Sequence, residues 1–206
     1  LCDFYPAVSA LANGRLTLAG GALSIAGVAQ QKKSTRPPSQ RSERIARETS
    51  FADISLSRLG VYINHERIGK LAPIGKSVAD TAVLVVEDDP DQLALAALRL
   101  RTAGYGAHTA DSVKALYRQL EKGMPDALLL DIELPDGNGF DVLGTLRSNP
   151  KYGRLPVLMV TSRTDPEDVA KGLELGADGY VTKPYSASTL EYVLRYVLKQ
   201  EVAAAS

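Results

Sequence analysis

Val83-Leu-Val-Val-Glu-Asp-Asp-Pro90 is four apolar residues, three of them β-branched, that end abruptly in three acids and a proline. An apolar run this short reads as a strand buried on both faces, the kind found in the middle of a parallel sheet. The pattern recurs downstream. Pro90 to Thr102 carries leucines and alanines at helical spacing and stops at Gly104, and His108-Thr-Ala110 reads as a short strand. Asp111 is placed to cap a helix from Ser112 to Leu120 that ends at Gly123. Ala127-Leu-Leu-Leu-Asp131 is the next strand and Gly139 to Ser148 the next helix. Leu155 to Val160 is again a strand, Glu167 to Leu175 a helix closed by Gly176, and Gly179 to Thr182 a strand. Ser186 or Ser188 then caps a last helix with Leu190, Val193, Leu194, Val197 and Leu198 on one face. Strand and helix alternate five times, which predicts an α/β fold: a five-stranded parallel sheet with helices on both faces, over residues 80–206.

Upstream of Thr81 the chain changes character. Residues 31–50 mix prolines, serines and a basic run with little apolar content, the composition of a linker or tail. Arg15 to Ile25 and Gly60 to Gly69 each read as a hairpin, but no sustained periodicity joins them into a core. Residues 1–79 are therefore expected to be a weakly ordered or disordered extension, or the remnant of a small separate domain. Charge divides at the same place. Residues 1–79 hold 11 Lys+Arg against 5 Asp+Glu, whereas 80–206 hold 13 against 19, so the formal net charge of zero conceals two opposite halves.

The 206 residues suffice for one domain with an appendage, and the 45% hydrophobic content excludes disorder throughout. Cys2 has no second cysteine to pair with. The longest apolar stretch, Leu16 to Ala29, is too short to span a bilayer and is broken by glycines. A basic n-region is missing from the start of the chain, so a signal peptide is not expected, and the location expected is cytoplasmic. A balanced charge gives no reason to expect direct binding of nucleic acid or insertion into a membrane.

In open parallel sheets, ligands bind beyond the carboxyl ends of the strands. The first strand of the repeat ends in Glu87-Asp88-Asp89, the third in Asp131, the fourth in Thr161-Ser162 and the fifth in Lys183-Pro184. A lone aspartate at a strand end is more often a helix cap. Three carboxylates gathered at one edge repel one another unless a cation neutralises them, and hard oxygen donors suit Mg²⁺. With a lysine and a hydroxyl alongside to hold phosphoryl oxygens, the set suits phosphoryl transfer onto an aspartate.

Residues 81–199 resemble the receiver domain of bacterial response regulators, the phosphoacceptor module of two-component signalling. The resemblance rests on Val83 to Pro90, on Leu128-Leu-Leu-Asp-Ile-Glu-Leu-Pro-Asp-Gly137, on Val160-Thr-Ser162 and on Gly176-Ala-Asp-Gly-Tyr-Val-Thr-Lys-Pro184. It implies the flavodoxin-like (βα)5 fold, with Asp131 as phosphoacceptor. It also implies Mg²⁺ as cofactor, bound by Asp88, Asp89, Asp131 and the backbone carbonyl of Glu133. Lys183 and Thr161 would contact the phosphoryl group, Thr161 and Tyr180 would form the switch, and Pro184 would stand at a cis-proline position.

The function so implied is a phosphorylation-dependent signalling switch rather than a turnover enzyme: it accepts and later loses its own phosphoryl group. A histidine kinase or histidine phosphotransfer protein would be the donor. The readout would be altered protein contacts at the face made by the fourth helix, fifth strand and fifth helix of the repeat, about residues 167 to 199. The output protein is not indicated, and a phosphorylation-dependent dimer is among the partners considered. Alternatives are the C-terminal receiver of a larger hybrid sensor kinase, a receiver-like module that is never phosphorylated, and a Mg²⁺-dependent phosphatase or transferase. Glu133 and Arg163, each two residues beyond a site residue, are expected to meet across the site mouth and lengthen the life of the phosphoryl group. His65 and His108 lack partners at zinc-ligand spacing.

Overall fold

Residues 56–200 are described by the computed structural model, and within them the apolar runs are strands. The strands are β1 (Val61–Ile63), β2 (Ala82–Val86), β3 (Gly106–Ala110), β4 (Ala127–Leu130), β5 (Glu133–Leu134), β6 (Gly137–Asn138), β7 (Val157–Thr161) and β8 (Gly179–Thr182). The helices are α1 (His65–Gly69), α2 (Pro90–Thr102), α3 (Val113–Lys122), α4 (Gly139–Ser148), α5 (Pro166–Glu174) and α6 (Ala187–Leu198). The main sheet runs β1-β8-β7-β4-β2-β3, and β5 and β6 form a separate two-residue ladder. Every pairing from β8 to β3 is parallel. These five strands have the doubly wound order expected from the alternation, with the crossover reversal between β2 and β4.

Side-chain alternation sorts the core into two layers. Leu84, Val86, Leu128, Leu130, Met159 and Tyr180 face α3, α4 and α5 through Leu116, Leu120, Leu143, Leu146 and Val169. Val83, Val85, Leu129, Leu158, Val160 and Val181 face α2 and α6 through Ala96, Leu100, Leu190, Val193, Leu194 and Val197. Most of these are sealed from solvent, as parallel strands covered on both faces must be. Ser112, not Asp111, caps α3, its hydroxyl accepting the Ala115 amide. Ser186 rather than Ser188 caps α6, accepting the Thr189 amide.

The sheet has a sixth strand, and the expected domain boundary is corrected by it. Val61–Ile63 lies antiparallel along β8, pairing Val61 with Val181, Tyr62 with Tyr180 and Ile63 with Gly179. The expected hairpin over residues 60–69 is instead this strand followed by α1, with Asn64 as the cap that accepts the Arg67 amide. Val61 and Ile68 are buried with the α2/α6 layer, and Leu71, Ile74 and Val78 pack against it. The link to β2 is tied down as well. The Ile74 amide donates to the Leu198 carbonyl at 3.2 Å, and Lys76 pairs with Asp126 at 2.7 Å. Residues 56–79 thus share the receiver-like core. Three strand residues and a five-residue helix are too short for periodicity to tell a hairpin from a strand and a helix. The remainder of the expected extension, including the hairpin at Arg15 to Ile25, lies outside the described residues.

Candidate functional site

Register decides which residues meet at the carboxyl edge. Val86 stands opposite Leu130, so the next residues, Glu87 and Asp131, leave the sheet side by side at the crossover point. The Asp131 amide donates to the Val86 carbonyl at 3.0 Å and the Glu87 amide to Ala110 at 3.1 Å, which holds both strand ends in line. On the far side, Thr161 pairs with Thr182, and the Lys183 amide donates to the Thr161 carbonyl at 2.8 Å. Lys183 follows and precedes a cis peptide bond to Pro184, as expected.

The centre of the arrangement is the Lys183 ammonium. It donates to Asp131 Oδ2 at 2.5 Å and also to Glu87 Oε2. All three side chains are nearly enclosed, Lys183 at 11% exposure, Asp131 at 8% and Glu87 at 7%. Asp131 Oδ1 is engaged too, accepting the Ile132 amide at 2.6 Å. Burial pushes the Glu87 carboxyl above the usual carboxylate range, and the Lys183 bond opposes this without cancelling it. For Lys183 burial acts downward, but the hydrogen bonds to Asp131 and Glu87 outweigh it and raise the ammonium's pKa. Close approach behind Asp131 needs a glycine. A Cβ on Gly139 would lie 2.1 Å from the Asp131 carbonyl, and the Gly139 amide donates to Ile132 at 2.8 Å.

The acid triplet is used differently from the expectation. Asp89 is the cap of α2, its Oδ1 accepting the Asp91 and Gln92 amides at 2.9 Å each, which lowers its pKa. One oxygen of its carboxylate is thus engaged on the helix, the role a lone strand-end aspartate usually has. Asp88 is exposed beside it, and Glu87, which the sequence reading left without a role, is the acid that joins Asp131 and Lys183. The signal was available in the register: the first residue after one apolar run should lie level with the first residue after its neighbour. Among the described residues no three acidic side chains already form a cation cage.

The mouth is flanked by the pair expected from spacing. Arg163 Nε donates to Glu133 Oε1 at 3.1 Å and Nη2 approaches it at 3.0 Å, while Nη1 reaches Asp168 at 3.3 Å. Thr161 is buried, and its hydroxyl accepts the Arg163 amide at 3.4 Å. Tyr180 is fully buried, its hydroxyl donating to the Arg163 carbonyl at 3.0 Å. His65 and His108 are on separate elements, and no described cluster suits zinc. Among the described residues no helix is long and apolar enough to cross a membrane.

A family model for the response regulator receiver domain matches residues 83–195. The chain belongs to this family. It is 38% identical over 125 residues to the transcriptional regulatory protein KdpE of Mycobacterium tuberculosis, covering 61% of this chain and 54% of that one. With the phosphate regulon transcriptional regulatory protein PhoB of Klebsiella pneumoniae it shares 34% over 118 residues, 57% of this chain and 52% of that one. The crystal structure of the chemotaxis response regulator CheY4 of Vibrio cholerae matches with a TM-score of 0.54 at 30% identity, over 57% of this chain and 98% of that one. The chain spans about half the length of the curated relatives it matches. Two of these relatives are transcriptional regulators by name, which is at odds with the expectation that nucleic acid has no direct part. None of the three lends support to the hybrid-kinase or never-phosphorylated alternatives.

Proposed function

We propose that this receiver is a phosphorylation-dependent switch that accepts a phosphoryl group on Asp131 from a phosphohistidine of a kinase or phosphotransfer protein. The observation that supports it most is the Asp131 carboxylate, nearly enclosed at a strand end and held by the Lys183 ammonium. An Asp131 oxygen attacks phosphorus in line, the P–O bond forms as the P–N bond breaks, and the departing imidazole takes up a proton. Lys183 then pairs with the phosphoryl oxygens and Thr161 donates its hydroxyl to one of them. Asp131 is a consumed nucleophile that water later regenerates, so the chain is a phosphoacceptor and not a turnover enzyme.

The donor set fits Mg²⁺ through hard oxygens. Asp88, Asp131 and the backbone carbonyl of Glu133 would hold it, with Glu87 in the place first assigned to Asp89. When bound, the ion supplies positive charge against the phosphoryl oxygens. The Arg163–Glu133 pair stands where it can obstruct water. Incubation with acetyl phosphate and Mg²⁺, read by intact mass, tests the reading. One added phosphate is expected for the native chain and for Asp141→Asn, and none for Asp131→Asn. Equal labelling of Asp131→Asn would overturn it.

A further inference from the structure

The loop that follows Asp131 carries the Glu133 carbonyl, and it is fastened at several points. Its middle is the β5–β6 ladder, which pairs Glu133 with Asn138 and Leu134 with Gly137 and leaves Pro135-Asp136 at the tip. Leu134 packs against the α3, α4 and α5 layer of the core. At the far end Asn138 caps α4, its Oδ1 accepting the Phe140 amide at 2.9 Å. The remaining anchor is Asp136. Its Oδ1 accepts the Val113 amide at 2.7 Å and its Oδ2 the Lys114 amide at 2.9 Å, across 23 and 22 residues of chain. These are the first two amides of α3, and the third, from Ala115, goes to the Ser112 hydroxyl. A helix leaves its first amides without an intrahelical partner and favours negative charge at its start, so a carboxylate from elsewhere in the chain is held there by both oxygens. The amide bonds from Lys114 and Val113 keep the Asp136 carboxyl below its usual range. Gly137 lets the loop come this close, since a Cβ there would lie 3.0 Å from Val113 Cγ2.

What this tether holds in place is the edge of β5 that faces the phosphoacceptor. The Glu133 amide points at Asp131 Oδ1, 3.4 Å away. In an extended residue the amide and the carbonyl lie on one edge, which is why paired residues of an antiparallel ladder exchange both bonds. The Glu133 carbonyl is therefore turned to the same side as the Asp131 carboxylate. The other end of the tether is firm, because α3 is seated on the sheet by Leu116 and Leu120, both sealed in the core.

We propose that Asp136 is a positioning residue for the metal site: by bridging the β5–β6 turn to the start of α3, it holds the Glu133 carbonyl where Mg²⁺ would meet it. The proposal rests on the metal site as read above. Asp136 is not itself a ligand. It acts through the loop, so its loss leaves the acids in place and withdraws the preorganisation of the carbonyl.

Calorimetric titration of the full chain with magnesium chloride, no phosphodonor present, tests this beside hydrogen exchange of peptides covering residues 132–138 in the metal-free protein. Two variants separate the tether from the cap. Asp136→Ala frees the turn and uncaps α3, whereas Ser112→Ala uncaps α3 and leaves the turn tied. Both should melt a few degrees below the native chain. Only Asp136→Ala should exchange faster in the loop and bind Mg²⁺ more weakly, by about tenfold, the lower end for groups that orient a metal ligand. Asp136→Asn keeps one accepting oxygen and should fall between it and the native chain. Native Mg²⁺ affinity in Asp136→Ala overturns the proposal, as does an equal loss in Ser112→Ala, which would reduce Asp136 to a helix cap. A native chain that binds no Mg²⁺, or whose binding is untouched by Asp88→Asn, overturns the reading of the metal site beneath it.

Discussion

Lys183 joins two carboxylates, Asp131 and Glu87, that leave neighbouring strands at the same level. Glu87 is the partner whose ionisation burial opposes, so folding raises the pH at which it loses its proton. Between the ordinary value of 4.5 and that raised value, the native state holds a proton that the unfolded chain has lost. The stability due to this group is full below 4.5 and declines as pH rises through the window. Thermal melts of the native chain and Glu87→Gln across that range should give a difference curve that shifts in favour of the variant as pH rises. Parallel curves would mean that folding leaves the Glu87 proton where it was.

Asp88 and Asp89, adjacent in sequence, differ in what they hold: Asp89 accepts two amides at the start of α2, whereas Asp88 is exposed. Asp89→Ala removes the acceptor for the Asp91 and Gln92 amides, so its melting temperature falls by a few degrees while phosphate uptake stays within about twofold of native. Asp89→Asn keeps a capping oxygen and recovers the melt. Asp88→Asn melts as native but loses more than tenfold in Mg²⁺-dependent uptake rate, about 1.4 kcal/mol of barrier. Losses of uptake that fall on Asp89 instead would return the metal role to that residue.

On the proposed reading, the paired Glu133 and Arg163 govern how long the phosphoryl group survives. Glu133→Ala and Arg163→Ala should each speed its loss by roughly two- to tenfold, up to about 1.4 kcal/mol of barrier. Arg163 also meets Asp168, so its replacement should have the larger effect. The double variant should be no faster than Arg163→Ala, since both act through one contact. Lifetimes that multiply in the double variant would show two independent effects.

Because residues 56–79 share the core, a chain starting at residue 80 should be badly destabilised. It forfeits burial of Val61 and Ile68, each on the order of 1.5–3 kcal/mol, against a usual domain stability of about 5–15 kcal/mol. It also uncovers the β8 edge. A chain starting at Leu56 should melt cooperatively near the native temperature, and one starting at residue 80 at least about 10 °C lower. Equal melts would restore the boundary at residue 80.

What could be read in advance follows from length and register. Four of the five parallel strands announced themselves as buried apolar runs ending in a chemically loaded residue, which made the strand-end positions of Asp131, Thr161 and Lys183 legible, whereas β3 is partly exposed and carries His108 and Thr109. At Gly60 to Gly69 the strand was legible but its partner was not, since Val61–Ile63 is placed by hydrogen bonds to β8 and by Asn64 and Arg67 contacts to residues far along the chain. That Asp89 caps a helix was hidden for a different reason. Composition shows three acids in a row, but only strand register reveals that the first of them lies level with Asp131 and that the third begins a helix.

The central claim is that Asp131 is the residue that carries the phosphoryl group, and its chemistry allows the carrier to be marked directly. Borohydride reduces an aspartyl phosphate to homoserine and leaves a free carboxylate untouched. After treatment with acetyl phosphate and Mg²⁺, then borohydride, peptide sequencing by mass spectrometry should find homoserine at Asp131, and none when the phosphodonor is omitted. Homoserine at Asp88 or Asp89, or a phosphorylated chain that borohydride does not convert, would contradict the account.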